Sequence, residues 1–336
     1  MRVGVVGLGR MGANIARHAT EKGHAVVGFD TREEVRGAVA VEGIDPASSI
    51  AELVEKLSPP RIVLLYVPHG PVTEAVCEEL RPVLDPGDLI VDGGNSHWAD
   101  SQRRHDSCAA VGVHFLDVGT SGGVEGAWRG ACFMAGGKRE AYDLVAPLLR
   151  DLAVDPEGTL YAGRSGAGHF TKLVHNAIEF GMVQAIAEGV ELLQRSELEL
   201  DLPSLFTNWN HGSVIRSWLV ELMGHALEEQ PDFERLSTHV EDTQEVKWVL
   251  AWALEAGHPD SGDKRRPEGL DGVPGPRSAR RQSGCAPAPR VRWTPGPRGR
   301  RHGRAPVNAW PLAAPRHDFA PARDLARDAR VPGRAT

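Results

Sequence analysis

Short apolar runs alternate with helical patterns from the first residues to about residue 165. Val3 to Val6, Ala25 to Phe29, Arg61 to Tyr66, Asp88 to Val91, His114 to Val118, Ala131 to Ala135 and Thr159 to Ala162 read as strands. Several are apolar at consecutive positions, as expected of strands buried on both faces of a parallel sheet. Between them, Ala13 to Lys22, a segment capped by Ser48 or Ser49 and ending near Leu57, Val72 to Val83, His97 to Val111 and Arg139 to Leu149 carry helical spacing. This alternation predicts an α/β domain with a doubly wound sheet. From Gly166 to Ala256 the pattern is helical only: one long helix to about Arg195, then Pro203 to Asn210, Val214 to Glu229 and Thr243 to Glu255. The expected organisation is a sheet domain over 1–165, an all-helical domain over 166–256, and a remainder over 257–336.

The first strand leads into Gly7-Leu8-Gly9-Arg10-Met11-Gly12, a GxGxxG run that opens a helix, and the second strand ends in Asp30. The first glycine permits a tight turn, the second lets a pyrophosphate approach the backbone, and the third allows close helix packing. The helix N-terminus adds free N–H groups and a partial positive charge. Strand, helix and a following acid all stand where a Rossmann-type dinucleotide site requires them. Asp30 is placed to bind ribose hydroxyls and to disfavour a 2′-phosphate, which points to NAD; its alternative is a surface carboxylate capping the next turn. Arg32 could serve a 2′-phosphate, so NADP stays open.

The stretch Gly166 to Gln184 places Lys172, His175, Asn176 and Glu179 at i, i+3, i+4 and i+7, along one helix face. Phe170, Leu173, Val174, Ala177 and Ile178 cover the other side, so an apolar back and a polar front are expected. A cation, an imidazole, an amide and a carboxylate suit proton transfer on a polar substrate; a solvated charged face is the plainer reading. Two loops at strand ends add candidates. Asn95 lies in Asp92-Gly93-Gly94-Asn95-Ser96, and Ser121, Gly122 and Gly123 follow Gly119-Thr120. Each could contact a ligand or simply form a turn.

Composition divides the chain in two. Residues 257–336 hold 16 Arg and one Lys against seven acidic residues, or +10, which leaves −17 for the rest of a net −7. Thirteen prolines and no Ile, Met or Tyr there leave little from which to build a core, so disorder is expected. A nucleic-acid-binding tail would show lysines and interleaved aromatics, so the Arg/Pro/Ala/Gly excess reads instead as a shifted frame of a GC-rich gene. Cys77, Cys108, Cys132 and Cys285 show no ligand spacing and are expected as buried small hydrophobes in a reducing compartment, with no metal. No run has the length of a membrane span, and the first residues enter a strand pattern without a secretory signal, which predicts a cytoplasmic protein.

Taken together, GLGRMG at Gly7 to Gly12, DGGNS at Asp92 to Ser96, TSGG at Thr120 to Gly123, GAGHFTKLVHNAIEFG at Gly166 to Gly181 and WNHGSVIRSWL at Trp209 to Leu219 resemble the decarboxylating 6-phosphogluconate dehydrogenases. The likeness is to their shorter, often NAD-using branch and extends over about residues 1–256. Related β-hydroxyacid dehydrogenases share the first and third motifs and the lysine, and usually lack the His-Asn and Glu combination. The resemblance implies that Lys172 acts as base and Glu179 as acid. It implies a dinucleotide held by Gly7, Leu8, Gly9, Arg10, Met11, Gly12, Asp30, Val67 and Asn95. It further implies a sugar-acid phosphate held by Asn95, Ser121, Gly122, Gly123, His175 and Asn176. A homo-oligomer formed through the helical domain is implied as well, with neither nucleic acid nor membrane as partner. Three departures stand out: Phe180 replaces a tyrosine, Gln244 replaces a glycine, and nothing after Ala256 matches the arginine that grips the phosphate. Another β-hydroxyacid dehydrogenase, or an inactive dinucleotide-binding chain, is the alternative expectation.

Overall fold

The computed structural model describes residues 1–230 and 243–256; the expected disordered tail and Cys285 lie outside the described residues. The chain begins with β1 (Arg2–Val6), α1 (Arg10–Glu21), β2 (Ala25–Phe29), α2 (Glu33–Ala40), a two-residue β3 (Asp45–Pro46) and α3 (Ile50–Glu55). It continues through β4 (Ile62–Leu65), α4 (Pro71–Leu80), β5 (Leu89–Asp92), α5 (Trp98–Ala109) and β6 (His114–Ser121). Then come α6 (Gly123–Arg129), β7 (Cys132–Gly137), α7 (Arg139–Leu152) and β8 (Thr159–Gly163). These strands form one eight-stranded sheet in the order β3-β2-β1-β4-β5-β6-β7-β8. Strands β1 to β6 are parallel, and β7 turns antiparallel to β6.

The consecutive apolar runs are buried on both faces, as their composition requires: β4 and β5 are enclosed at every position. One core layer packs α1 and α7 against the sheet, around Ile15, Leu64, Phe133 and Leu148. The other packs α3 and α4, around Leu53, Leu65, Leu80 and Phe115. Order reverses between β2-β1 and β4, and in an open parallel sheet the crevice for ligands lies at the carboxyl ends beside that reversal.

The helical part contains α8 (Ala167–Gln194), α9 (Leu202–Asn210), α10 (Trp218–Glu229) and α11 (Glu245–Glu255). A small core of Val190, Phe206, Val220, Met223 and Leu227 joins the first three. Helix α10 starts four residues later than its apolar pattern suggests. Ser217 caps it by accepting from the Val220 N–H, and Val214 stands fully exposed in the preceding turn. Three other sequence expectations need correction. Cys77 and Cys108 are buried, but Cys132 is exposed because it begins β7 near the sheet's edge. The TSGG run ends a strand, as expected, but β6 runs on to Ser121, past the expected Val118, and its glycines lead into a helix, with α6 starting at Gly123. On α8 burial does not follow the two faces: Lys172 and Asn176 on the polar front and Leu173 on the apolar back are buried, while His175 and Glu179 on the front are half-exposed and Ile178 on the back is exposed.

The burial of Lys172 and Asn176 follows from where α8 lies. Its first turn rests directly on β6 and β7, with glycines on both sides of the contact. A Cβ on Gly168 would stand 2.1 Å from the Asp117 carbonyl oxygen and 2.5 Å from that of Met134. A Cβ on Gly119 would stand 2.3 Å from the Lys172 Cβ, and one on Gly136 2.6 Å from the Gly168 nitrogen. Such distances exclude any side chain at these positions without backbone movement. Gly168→Ala is therefore expected to lower stability by about 3 kcal/mol, at the upper end for overpacking. Urea denaturation would read this as a lower midpoint; an unchanged midpoint would mean that the helix does not rest on the strands.

Candidate active site

The glycine turn closes as its sequence requires. Gly7 takes φ +88° and donates its N–H to the Phe29 carbonyl, while a Cβ on Gly12 would lie 1.8 Å from the Gly7 oxygen. Gly9 faces open space, with nothing within 4 Å of a Cβ placed there, so a ligand can approach the backbone. Leu8 is buried and donates its N–H to Asp30 Oδ2 at 2.9 Å, tying the turn to the end of β2. Val67 lies beside the turn, its Cγ1 2.8 Å from where a Gly7 Cβ would be. Arg10 is exposed and Met11 half-buried at the start of α1. The Asp30 side chain is nearly enclosed, and its Oδ1 accepts from the Arg32 backbone N–H and Nε. Burial pushes its pKa up, but hydrogen bonds from Arg32 and Leu8 outweigh this and hold it below the usual carboxylate range. Oδ2 accepts from Leu8 and, at 3.5 Å, from Arg32 Nη2, so a ribose hydroxyl would take the place of a contact from the more exposed Arg32 guanidinium beside it. An open glycine cradle with an ionised carboxylate at its rim fits a dinucleotide.

The second group of residues is assembled by α8. Asp117, a carboxylate at the middle of β6 with no exposed surface, accepts from the Gly166 N–H at 2.7 Å and the His169 N–H at 2.9 Å. It thereby satisfies two donors at the positive end of the helix. His169 is also fully buried and spans Ser101 Oγ of α5 at 2.7 Å and the Asp92 carbonyl of β5 at 3.1 Å. From this anchor α8 runs alongside β6 toward its carboxyl end. Four helical residues advance about 6 Å and two strand residues about 6.6 Å, so the two elements stay in step. Gly168 thus meets Asp117, Lys172 meets Gly119, and His175 Nε2 meets Ser121 Oγ at 3.0 Å.

Lys172 and Asn176 are 6% and 5% exposed, and Lys172 Nζ donates to Asn176 Oδ1 at 2.6 Å. Burial lowers the Lys172 pKa, against opposing pulls from Glu179, Glu245 and Cys132. Glu179 is half-exposed, with Oε2 3.6 Å from His175 Nδ1. Asn95 owes its position to Asp92, whose carboxylate accepts from the Gly94 N–H at 3.1 Å and Ser96 Oγ at 2.7 Å and so shapes the loop. Buried Arg104 supports Asp92 from α5. Gly122 and Gly123, at φ +126° and +61°, carry the chain from Ser121 into α6. Asn14 of α1 reaches the Val124 carbonyl at 3.3 Å, which brings the glycine-turn helix against this segment. No metal-ligand cluster of three or more His, Cys, Asp or Glu exists among the described residues.

Glu245 is a site residue that the motif reading passed over. Although 150 positions away in sequence, its Oε1 accepts from Asn95 Nδ2 at 2.8 Å, and Oε2 accepts from Asn176 Nδ2. A sequence signal existed: Glu245, Trp248 and Trp252 share helical spacing, and the two indoles dock α11. Trp248 meets His97 and His69 edge-on, and Trp252 meets Phe170. Asp117 also had a signal, as a charge inside the apolar run of β6.

A parallel sheet with an open glycine turn, joined to a helix that carries a buried lysine at the sheet's carboxyl edge, defines a dinucleotide-dependent oxidoreductase. Residues 2–163 match the family described as the NAD binding domain of 6-phosphogluconate dehydrogenase, and residues 168–261 match the 6-phosphogluconate dehydrogenase C-terminal domain. The chain is 43% identical over 256 residues to the NAD(+)-dependent, decarboxylating 6-phosphogluconate dehydrogenase of Haloferax volcanii, covering 76% of this chain and 85% of that one. It is 36% identical over 274 residues to the decarboxylating 6-phosphogluconate dehydrogenase of Escherichia coli, covering 77% of this chain and 58% of that one. Among solved structures it is similar to Plasmodium falciparum 6-phosphogluconate dehydrogenase, with a TM-score of 0.68 and 28% identity over 76% of this chain and 58% of that one. The chain belongs to the 6-phosphogluconate dehydrogenase family, and it spans a little over half the length of the longer relatives. Among the described residues no helix is long and apolar enough to cross a membrane.

The burial of Lys172 has a measurable consequence. Amine-specific labelling of Lys172, followed against pH by mass spectrometry, should titrate below the exposed Lys22 and Lys138, because burial disfavours the ammonium form. Co-titration with the exposed lysines would contradict the enclosed environment.

Proposed function

We propose that this chain catalyses the oxidative decarboxylation of 6-phospho-D-gluconate to ribulose 5-phosphate and CO2 with reduction of NAD, or of NADP as the alternative. The observation that carries this reading is the buried Lys172 amine, its pKa lowered by burial, on the same helix face as Glu179. In this reading Gly7, Leu8, Gly9, Arg10, Met11, Gly12, Asp30, Val67 and Asn95 hold the dinucleotide. Asn95, Ser121, Gly122, Gly123, His175 and Asn176 hold the sugar acid. The dinucleotide, when bound, supplies the acceptor for the hydride from C3.

Lys172 acts through Nζ. In its neutral form it takes the proton of the C3 hydroxyl as C3 gives up its hydride, and the two losses together leave a ketone at C3 next to the carbon that bears the carboxylate. A β-keto acid releases CO2 when the developing oxyanion is stabilised, and the Lys172 ammonium now formed supplies that charge. Glu179 then delivers a proton to C1 of the enediol. His175 and Ser121, already hydrogen-bonded, hold the substrate side of the pocket, and Asn176 keeps the lysine in place. Exposed apolar side chains on α8, among them Ile178, Phe180 and Met182, support a homo-oligomer joined through the helical part; in this reading the enzyme acts in the cytoplasm.

Initial rates with 6-phosphogluconate, with CO2 release followed in parallel, test this function. Glu179→Gln should lower kcat by about 10²-fold or more, within the range for loss of a general acid, with NADH affinity unchanged. Full turnover in that variant, or no CO2 from the unaltered chain, would sink the reading. Arg32→Ala should raise the NAD over NADP rate ratio, since it removes the cation nearest the rim carboxylate. A ratio that stays fixed would show that Arg32 does not read the 2′ position.

A further inference from the structure

Glu245 has no part in the chemistry derived above, yet its buried carboxylate joins the two amides of the site. We propose that Glu245 is a positioning residue: one carboxylate on α11 fixes the side-chain amides of Asn95 and Asn176, so that the Asn176 carbonyl faces the Lys172 amine. The proposal deepens the function proposed above and rests on the reading of Lys172 as the base.

The argument begins with donor and acceptor inventory. An ionised carboxylate only accepts, so each asparagine must turn its NH2 toward Glu245 and its carbonyl away. At Asn176 this leaves Oδ1 for Lys172 Nζ at 2.6 Å, with His175 Nδ1 at 3.3 Å from the same oxygen. With the amide reversed, an NH2 would face the amine, and Lys172 would lose its acceptor. Each amide nitrogen carries a second hydrogen, so the clamp leaves both asparagines able to donate to a ligand.

The placement of Glu245 is over-determined. It is the first residue of α11, and Gln244 before it takes φ +68°, a left-handed conformation rare outside glycine. Trp248 and Trp252 pin the helix against His97, His69 and Phe170, and Val249 is buried one turn on from Glu245. Backbone outliers of this kind persist where surrounding structure holds them, and they cluster at functional sites.

Charge adds a second effect. Glu179 on the same helix, Cys132 from β7 and Glu245 from α11 act on Lys172. From β6, Asp117 faces the first turn of α8, and Ser121 engages His175. Removing the Glu245 anion takes away one of the groups that favour the ammonium, so Lys172 should lose its proton at lower pH.

The test uses the full chain with Glu245→Gln and Glu245→Asp, the circular dichroism spectrum and its thermal melting serving as the fold control. Labelling of Lys172 relative to Lys22 is followed against pH, beside the pH profile of kcat/KM with 6-phosphogluconate. Glu245→Gln should label several-fold faster at neutral pH, move the acid limb of kcat/KM to lower pH and lower kcat by about 10-fold. Glu245→Asp keeps the charge but is one methylene short of spanning both amides. It should restore the labelling midpoint without restoring kcat, and it carries the test if the glutamine variant does not fold. An unmoved labelling midpoint and acid limb in a Glu245→Gln chain that still folds would overturn the proposal, as would wild-type kcat in Glu245→Asp. If the unaltered chain releases no CO2 while the labelling midpoint still shifts in Glu245→Gln, the functional reading fails and the positioning role stands.

Discussion

Two hydrogen bonds from the first turn of α8 to the buried Asp117 carboxylate set the position of everything that follows on that helix. A buried carboxylate is costly, and burial pushes the Asp117 pKa up even with its donors in place. Two backbone N–H groups and the positive end of the helix offset that cost, and without the carboxylate those donors would be stranded in the interior. Glycines at 119, 136 and 168 let the two backbones meet at distances no side chain would allow. Helix and strand then advance together, so a lysine one turn past the anchor must arrive over Gly119 and a histidine two turns past it over Ser121.

The second organising contact comes from the far end of the described chain. Helix α11 docks through a tryptophan stripe onto α5 and α8, and it inserts one carboxylate between two amides. Buried polar groups are tolerable only when their partners are present, and here the amine, two amides and the carboxylate satisfy one another in series. The same enclosure keeps the amine's pKa low. Packing and electrostatics in this region are therefore one arrangement, because the walls that exclude water also lower the pKa of the amine.

Much of this was legible in local pattern. Consecutive apolar runs identified the strands of a parallel sheet, and the GxGxxG turn with Asp30 identified the crevice at its reversal point. The long helix was read within one residue at each end, along with the face shared by Lys172, His175, Asn176 and Glu179. Burial departs from local pattern where a special contact intervenes. A stripe of Lys, His, Asn and Glu ordinarily faces water, yet Lys172 and Asn176 lie against strands stripped of side chains, while Ile178 behind them is exposed. Cysteine is usually buried, but the start of β7 leaves Cys132 exposed. The glycines after Ser121 suit a turn equally well by sequence, and here they lead into a short helix.

Taken alone, the sequence determined the element types, the alternation that demands a doubly wound sheet, and the shared face of the long helix, because each depends on spacing within one element. It also marked which residue types could carry proton transfer, although the same spacing suits a solvated charged face equally well. Only the tertiary structure decided that Lys172 and Asn176 are enclosed, that Asp117 anchors their helix, and that Glu245 joins them. These outcomes depend on contacts between elements, such as that of Asn95 with Glu245 across 150 positions, and no local period encodes which distant side chain closes a buried hydrogen-bond series.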